Sequence, residues 1–142
     1  MAMSNFLESG MLHHVFRGQT YAKPTTIAIA LTSDVPTDGQ QGFDINELSG
    51  GSYARVDVGA PADGDWDFID QVNTSGHISN TAAITFPTAT ANWGYASGVV
   101  ILDSTTAGQG AVLFHAPLPT PRDIQNTDQY QFPAGTLDVY LD

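Results

Sequence analysis

The chain has 142 residues, of which 42% are hydrophobic, enough for one domain with its own core. Fifteen acidic residues against four basic ones give a net charge of −11. This balance argues against binding to nucleic acid or anionic lipid, because both need clustered Lys and Arg. The lack of cysteine excludes disulfides and thiolate metal sites. The longest apolar runs, about five residues, fall far short of the ~20 that a transmembrane helix needs.

Residues 4–17 are predicted to form the single helix. Ser4 can cap its N-terminus, and Gly18 can end it in a left-handed conformation. Its apolar positions recur at helical spacing and are Leu7, Met11 and Val15, with Leu12 and Phe16 beside them. The opening residues lack the basic patch and long apolar stretch of a secretory signal, so we expect synthesis in the cytoplasm without export.

Residues 26–141 are predicted to form seven or eight short strands, arranged as an antiparallel β-sandwich or a partly closed barrel. The whole chain, 1–142, is thus expected to be a single mainly β domain with one N-terminal helix. Its composition agrees, because Asp, Gly, Pro, Thr and Ser are common while Lys and Glu are scarce. Residues 26–32 are apolar on both faces, which predicts a central strand covered on both sides.

Four further expectations concern particular segments. Residues 33–52 read as a long loop, and residues 67–72 with 76–79 as a weak hairpin. The alternation in 53–58 places Arg55 on a polar face, opposite Ala54, Val56 and Val58. In the final strand, the side chains expected to face inward are those of Leu137, Val139 and Leu141. Three alternate prolines, Pro117, Pro119 and Pro121, indicate a stiff extended connection after a strand.

An acidic stretch at 63–70 gives the only weak metal candidates, Asp63, Asp65 and Asp67. Alternate Asp residues can present oxygens to calcium, but the EF-hand template fails at its sixth and twelfth positions. The simpler interpretation is a solvated loop that runs into a strand. We therefore expect no metal site and no cofactor.

Catalytic patterns are also lacking. His13 and His14 are adjacent on the predicted helix and point about 100° apart, while His77 and His115 lie elsewhere, so no zinc spacing is present. The sequence has no Gly-x-Ser-x-Gly elbow and no phosphate-binding glycine loop. We expect no enzymatic activity. Aromatic residues predicted on exposed faces could stack on a sugar, although packing is commoner; these are Tyr53, Tyr140 and Trp93.

The segment Asn80–Gly94, with the sequence Asn-Thr-Ala-Ala-Ile-Thr-Phe-Pro-Thr-Ala-Thr-Ala-Asn-Trp-Gly, resembles the core signature of a family of small virion proteins from tailed bacteriophages. Further blocks resemble the family in the same order, at 12–23, 31–34, 49–55, 112–118 and 132–137. The motif residues expected to fix a loop against the core are Asn80, Phe86, Pro87, Trp93 and Gly94. Residues 95–100 and the acidic stretch depart from the family pattern.

The resemblance implies a structural virion protein of a tailed phage. Among such proteins, the sequence favours a capsid cement, or decoration, protein on the capsid exterior that clamps neighbouring major capsid proteins. The alternative is a tail or tail-fibre protein, including one that binds a host glycan. A closed homo-oligomer, with a trimer favoured, fits either location.

The expected contact surfaces with partners are the N-terminal segment, the long loop 33–52 and the acidic loop 60–70, because these segments are polar and lie outside the periodic segments. The partner-binding candidates are Asp38 and Gln40 in the long loop, Phe43 beside them, and Asp65 and Trp66 in the acidic stretch. We expect the partners to be other copies of this chain and the major capsid protein.

Overall fold

Antiparallel strands dominate the computed structural model, which describes residues 1–68 and 76–141. Within these ranges there is one helix, α1 (Asn5–Phe16), and ten strands. The strands are β1 (Ala2–Met3), β2 (Ile27–Thr32), β3 (Val56–Gly59), β4 (Trp66–Phe68), β5 (His77–Asn80), β6 (Ile84–Thr85), β7 (Gly94–Leu102), β8 (Val112–Ile124), β9 (Gln131–Phe132) and β10 (Asp138–Tyr140).

The strands form three open sheets. The largest has five strands in the order β1-β8-β7-β2-β3, and smaller sheets have the orders β10-β5-β4 and β6-β9. The predicted mainly β fold with one N-terminal helix is confirmed. The predicted partly closed barrel is not confirmed, because β1 and β3 are separate edges of the large sheet and do not pair in the described part of the chain.

Strand β2 lies near the centre of the large sheet and all six of its residues are buried, as predicted. Its large side chains, Ile27, Ile29 and Leu31, face the main core, which also contains apolar residues of both smaller sheets. The small side chains Ala28 and Ala30 face the other way and are fully buried as well. The large sheet is therefore covered on both faces.

The second face is covered by the segment between β2 and β3, which was predicted as a long loop. Ile45 from this segment joins a small apolar cluster with Ala30, Val100, Leu102 and Val112. The Gly42 amide donates to the Gly110 carbonyl at 2.9 Å, and the Leu48 amide donates to the Leu31 carbonyl at 2.9 Å. The segment lacks helices and strands but is fastened to the sheet at several points.

Helix α1 has the predicted extent to within one residue at each end. Ser4 is fully buried and caps it, since its Oγ accepts from the Leu7 amide at 3.3 Å and donates to the Val112 carbonyl. Gly18 follows with φ 66°, the left-handed conformation expected after a helix. No helix in residues 1–68 and 76–141 has the length and apolar character needed to cross a membrane.

Strand β8 corrects one prediction. The three prolines read as a connection lie inside a strand of 13 residues. Proline lacks the amide proton that a ladder uses, so it is tolerated only where no neighbour needs that proton. β8 meets this condition, because its outer neighbour β1 pairs only with Phe114 and His115, and its register with β7 shifts beyond Pro117.

The predicted alternation in 53–58 is wrong at two positions. Arg55 is buried while Ala54 is exposed, because Arg55 turns inward to a buried acidic partner. In the last strand Leu137 and Val139 are buried as predicted, but Leu141 is exposed, one residue past the end of β10.

The weak hairpin is confirmed where it can be described. β4 pairs with β5 in antiparallel register, Trp66 opposite Asn80 and Asp67 opposite Ser79. The rest of the predicted hairpin, residues 69–75, lies outside the described part of the chain.

Candidate interaction surface

The motif segment Asn80–Gly94 holds two distant parts of the chain together. Asn80 is 2% exposed and uses its whole amide: Nδ2 donates to the carbonyls of Ala82 and Pro133 at 2.7 and 3.0 Å. Its Oδ1 accepts from the amides of Thr136 and Leu137 at 3.1 and 2.8 Å. A buried amide with every hydrogen bond made fixes the 133–137 turn, which is a structural role.

Phe86 and Trp93 anchor the other end of the motif. Phe86 is fully buried, with Pro87 half-buried after it, and it packs on Tyr53 and Tyr130 at ring-centroid distances of 6.3 and 6.2 Å. Trp93 donates its ring N–H to the Gly51 carbonyl at 2.7 Å.

Gly94 follows Trp93 with φ 94°, a backbone conformation that strains other residues.

The sugar-stacking alternative loses two of its three aromatic residues, because Tyr53 and Trp93 pack edge to face in the core at 5.1 Å. Tyr140 is 46% exposed.

Of the long-loop candidates for partner binding, Asp38 lies at the start of α1. The Asp38 carbonyl accepts from the Asn5 amide at 2.9 Å, and its carboxylate bonds the buried His115 ring at 2.8 Å. Gln40 is used within the loop, where it accepts from the Thr37 amide and donates to the Asp44 carbonyl. The side chain of Phe43 is 75% exposed. Unlike Asp38 and Gln40, it has no described partner.

A buried ion pair fixes the second half of the same loop. Arg55 donates through Nε and Nη2 to the two carboxylate oxygens of Glu47, at 2.9 and 2.7 Å. Its Nη1 donates to the carbonyls of Ser104 and Gln109 at 2.7 and 2.9 Å, in the turn between β7 and β8. Both side chains are almost entirely buried. The pair therefore joins three segments that are far apart in sequence.

Tyr53 extends this network. Its hydroxyl accepts from the Leu31 amide at 3.1 Å and lies 3.1 Å from a Glu47 oxygen. Burial raises the pKa of Tyr53 well above its ordinary value, and the nearby Glu47 carboxylate raises it further. Tyr53 thus keeps its proton in the folded protein.

The acidic-stretch candidates lie on a turn before β4. Asp65 is half-buried, and its carbonyl accepts from the Thr81 amide at 3.0 Å. Trp66 is half-buried against the main core, so it is a packing residue more than a free contact. Asp63 and Asp67 are exposed. In residues 1–68 and 76–141 no three His, Asp or Glu side chains lie close enough to hold a metal ion.

Helix α1 carries an apolar surface that sequence reasoning missed. The sequence pattern located apolar positions at helical spacing, and among the residues of α1 only Leu7 is buried. Leu12, Val15 and Phe16 are 58%, 61% and 77% exposed, and their spacing places them on one face of the helix. We call these three residues the helix stripe. Exposed large apolar side chains on one helix face make the helix stripe a candidate for contact with a partner.

The reason for this exposure is geometric. Phe16 follows Leu7 by nine residues, which rotates it about 180° around the helix axis. Leu7 faces the body, so Phe16 faces away from it. On the body side Tyr21 lies against Gly10, where any Cβ would come within 2.7 Å of the ring, and Phe6 contacts the same ring edge to face at 6.4 Å. The helix is thus held by its first turn and by Tyr21.

A surface groove with polar and apolar lining lies beside the start of α1. It is a groove of about 690 Å³ lined mainly by Met1, Met3, Val35, Pro117, Tyr140 and Leu141. We call it the N-terminal groove. Glu8 and His115 also line it, and a smaller groove of about 370 Å³, lined in part by Asp138, continues past Tyr140.

Charge is segregated between residues 9–33 and the rest of the chain. Residues 9–33 contain Arg17 and Lys23 and no acidic residue, so the remaining residues carry a net charge of −13, from two bases and fifteen acids. Those two other bases are paired, Arg55 with Glu47 and Arg122 with Asp128. In the described part of the chain neither Arg17 nor Lys23 forms an ion pair.

Residues 2–140 match the family model described as "Podophage GP4 fiber I protein gp80". The chain belongs to this family. A search of curated proteins found no match. Membership in the gp80 family over nearly the whole chain makes this a structural protein of a phage virion, as the resemblance of the Asn80–Gly94 segment implied.

Proposed function

We propose that the protein is a structural subunit of a podophage tail fibre. The observation that carries this proposal is the family match, which spans residues 2–140 and is described as a fibre protein. A tail-fibre protein was the alternative drawn from the sequence. The main prediction from the sequence was a capsid cement protein on the capsid exterior. The match gives the cement role no specific support.

The proposed role is mechanical and involves no catalysis. The motif residues are engaged in the fold: Asn80 bonds four backbone groups, and Trp93 bonds Gly51. The exposed apolar surfaces lie instead on α1 and in the N-terminal groove. Such surfaces serve attachment, so we propose that the protein acts by assembling with other copies of itself, with a trimer as the favoured state.

Location on the particle tests this proposal. Particles labelled with an antibody against the protein and viewed by electron microscopy should carry the label at the tail. Quantitative mass spectrometry of the same particles should give a low copy number. Label spread over the head, with hundreds of copies per particle, would instead identify a capsid decoration protein.

A further inference from the structure

The smaller of the two grooves lies where the core of the protein reaches the surface. It runs between the outer part of β8 and residues 130–140, and its volume of about 370 Å³ falls in the range of ligand sites, roughly 300–1,000 Å³. Two tyrosines, Tyr130 and Tyr140, line it, so we call it the tyrosine groove. The buried apolar residues that line it are Val99, Phe132 and Leu137.

Four side chains of this groove carry polar groups that the fold does not use. They are the hydroxyls of Thr120, Tyr130 and Tyr140 and the amide of Gln131, and none of them forms a hydrogen bond within residues 1–68 and 76–141. Hydroxyl groups and the amide can both donate and accept. An apolar lining with a few unpaired polar groups is the usual form of a small-molecule site.

We propose that the tyrosine groove binds a neutral oligosaccharide. A sugar ring has hydroxyl groups around its edge and C–H groups on its faces, so it can bond Thr120 and Gln131 while one face packs on a tyrosine ring. Tyr140 suits this packing, because it is 46% exposed. Tyr140 also lines the N-terminal groove, so an oligosaccharide of several units can continue past it.

The border that β8 forms argues against a peptide strand as the occupant. A peptide that adds to a sheet edge pairs with both the amide and the carbonyl groups of that edge. Pro117 and Pro119 line the groove and have no amide proton, so β8 offers no donor at these two positions. Sugar hydroxyls do not need this pattern, because each can donate to a carbonyl group or accept from a side chain.

Charge argues against an anionic ligand. The chain has a net charge of −11, and Asp138 lines the groove while no Lys or Arg of the described residues does. A phosphorylated or carboxylated ligand would therefore be repelled. This leaves a neutral sugar as the class that fits both the polar groups and the charge. The inference goes beyond the proposed fibre role, since it concerns what a single subunit binds.

An array of neutral oligosaccharides that includes maltohexaose, cellohexaose and chitohexaose tests the proposal on the purified full chain. We expect at least one of these probes to bind, and saturation-transfer NMR with that probe then gives the Kd. Tyr140→Ala should weaken binding by at least about tenfold, as should Thr120→Ala combined with Gln131→Ala. Tyr95→Ala is the control, because Tyr95 is 55% exposed but does not line the groove.

A conservative variant separates the ring of Tyr140 from its hydroxyl. Tyr140→Phe keeps the packing surface, so it should retain binding to within about threefold of the parent. Circular dichroism and urea midpoints of all these variants should match those of the parent, because Thr120, Gln131 and Tyr140 are exposed.

Three outcomes would overturn the inference. The first is a parent chain that binds none of the neutral probes. The second is binding that survives both groove variants, or that Tyr95→Ala weakens as strongly as they do. The third is a homo-oligomer in light scattering that Tyr140→Ala dissociates, which would make the groove a contact between subunits. Particle labelling tests the fibre role separately, so a failure here leaves that result distinct.

Discussion

At the residue scale, the buried Glu47–Arg55 pair fastens the segment between β2 and β3 to the turn between β7 and β8. We expect Arg55→Ala to lower the free energy of unfolding by about 3–5 kcal/mol, because it removes the cationic partner of a buried carboxylate and the donor to two carbonyls. Urea unfolding followed by tryptophan fluorescence measures the change.

Arg122→Ala is the matched control for this substitution. Arg122 pairs with Asp128 at 3.5 Å, and both side chains are substantially exposed. Exposed pairs contribute about 0–1 kcal/mol, so the control should change stability little. Equal losses for the two variants would contradict the structural role assigned to the buried pair.

The raised pKa of Tyr53 predicts that the protein loses stability at alkaline pH. Its pKa is raised in the folded state, so above about pH 10, where a tyrosine of the unfolded chain ionises, the native state binds more protons than the unfolded state. The free energy of unfolding therefore falls as the pH rises through this range. Tyr53→Phe should make that fall shallower.

Urea midpoints measured from about pH 8 to pH 11 check this expectation. Tyr53→Phe also removes the hydrogen bond from the Leu31 amide, so its stability at neutral pH should drop by about 1 kcal/mol. The exposed Tyr95→Phe is the control. If Tyr53→Phe left the pH dependence of the urea midpoint unchanged, the alkaline loss of stability would come from other groups. Tyr21 and Tyr130 are such groups, because burial also raises their pKa values.

At the element scale, α1 depends on its first turn, since the rest of the helix has few contacts with the body. We expect Ser4→Ala to lower the free energy of unfolding by about 1–2 kcal/mol, because the cap to Leu7 and the bond to Val112 are both lost. The helical signal in circular dichroism should melt before the rest of the protein.

Ser9→Ala is the matched control, since Ser9 is an exposed residue inside the same helix. It should change stability by no more than about 0.5 kcal/mol. If Ser4→Ala behaved like this control, the buried cap would not be what orients α1. That orientation determines which residues of α1 are exposed.

Strand β8 shows at the same scale why a local signal can mislead. Prolines at alternate positions indicate an extended chain, which is correct, but they do not tell whether a neighbour pairs with it. The pairing of β8 depends on its two neighbours. β7 pairs with β8 as far as Ile124, whereas β1 pairs with only two residues on the outer edge of β8.

At the scale of the whole molecule, the segment between β2 and β3 is a second layer on the large sheet. Deleting it to test partner binding would uncover Ala30 and Val100 and damage the fold. Point substitutions separate the two roles. Ile45→Ala should lower the free energy of unfolding by about 2–5 kcal/mol, because it opens a cavity over the sheet.

Phe43→Ala, on the exposed side of the same segment, should leave stability within about 0.5 kcal/mol of the parent. If Phe43 contacts a partner in the virion, as the sequence predicts, this variant should be incorporated into particles less well at unchanged stability. Incorporation measured by immunoblot of purified particles checks this. Normal incorporation would remove Phe43 from the predicted contact surface.

Several features followed from the sequence because they depend on neighbours a few residues away. The capping serine and terminal glycine set the bounds of α1, and the alternation of large and small residues in β2 showed a strand covered on both sides. The Asn80–Gly94 segment resembled the family to which the match over residues 2–140 assigns the chain, and its Phe86 and Trp93 are buried in the core.

Other features were decided by the tertiary structure. The inward turn of Arg55 depends on Glu47 and on carbonyls about fifty residues further along the chain, which no local pattern contains. The same is true of the helix stripe: periodicity shows that a helix has an apolar side, but whether that side meets the core depends on how its first turn is anchored. Burial is a property of the whole fold, so the candidate interaction surface could be located only there.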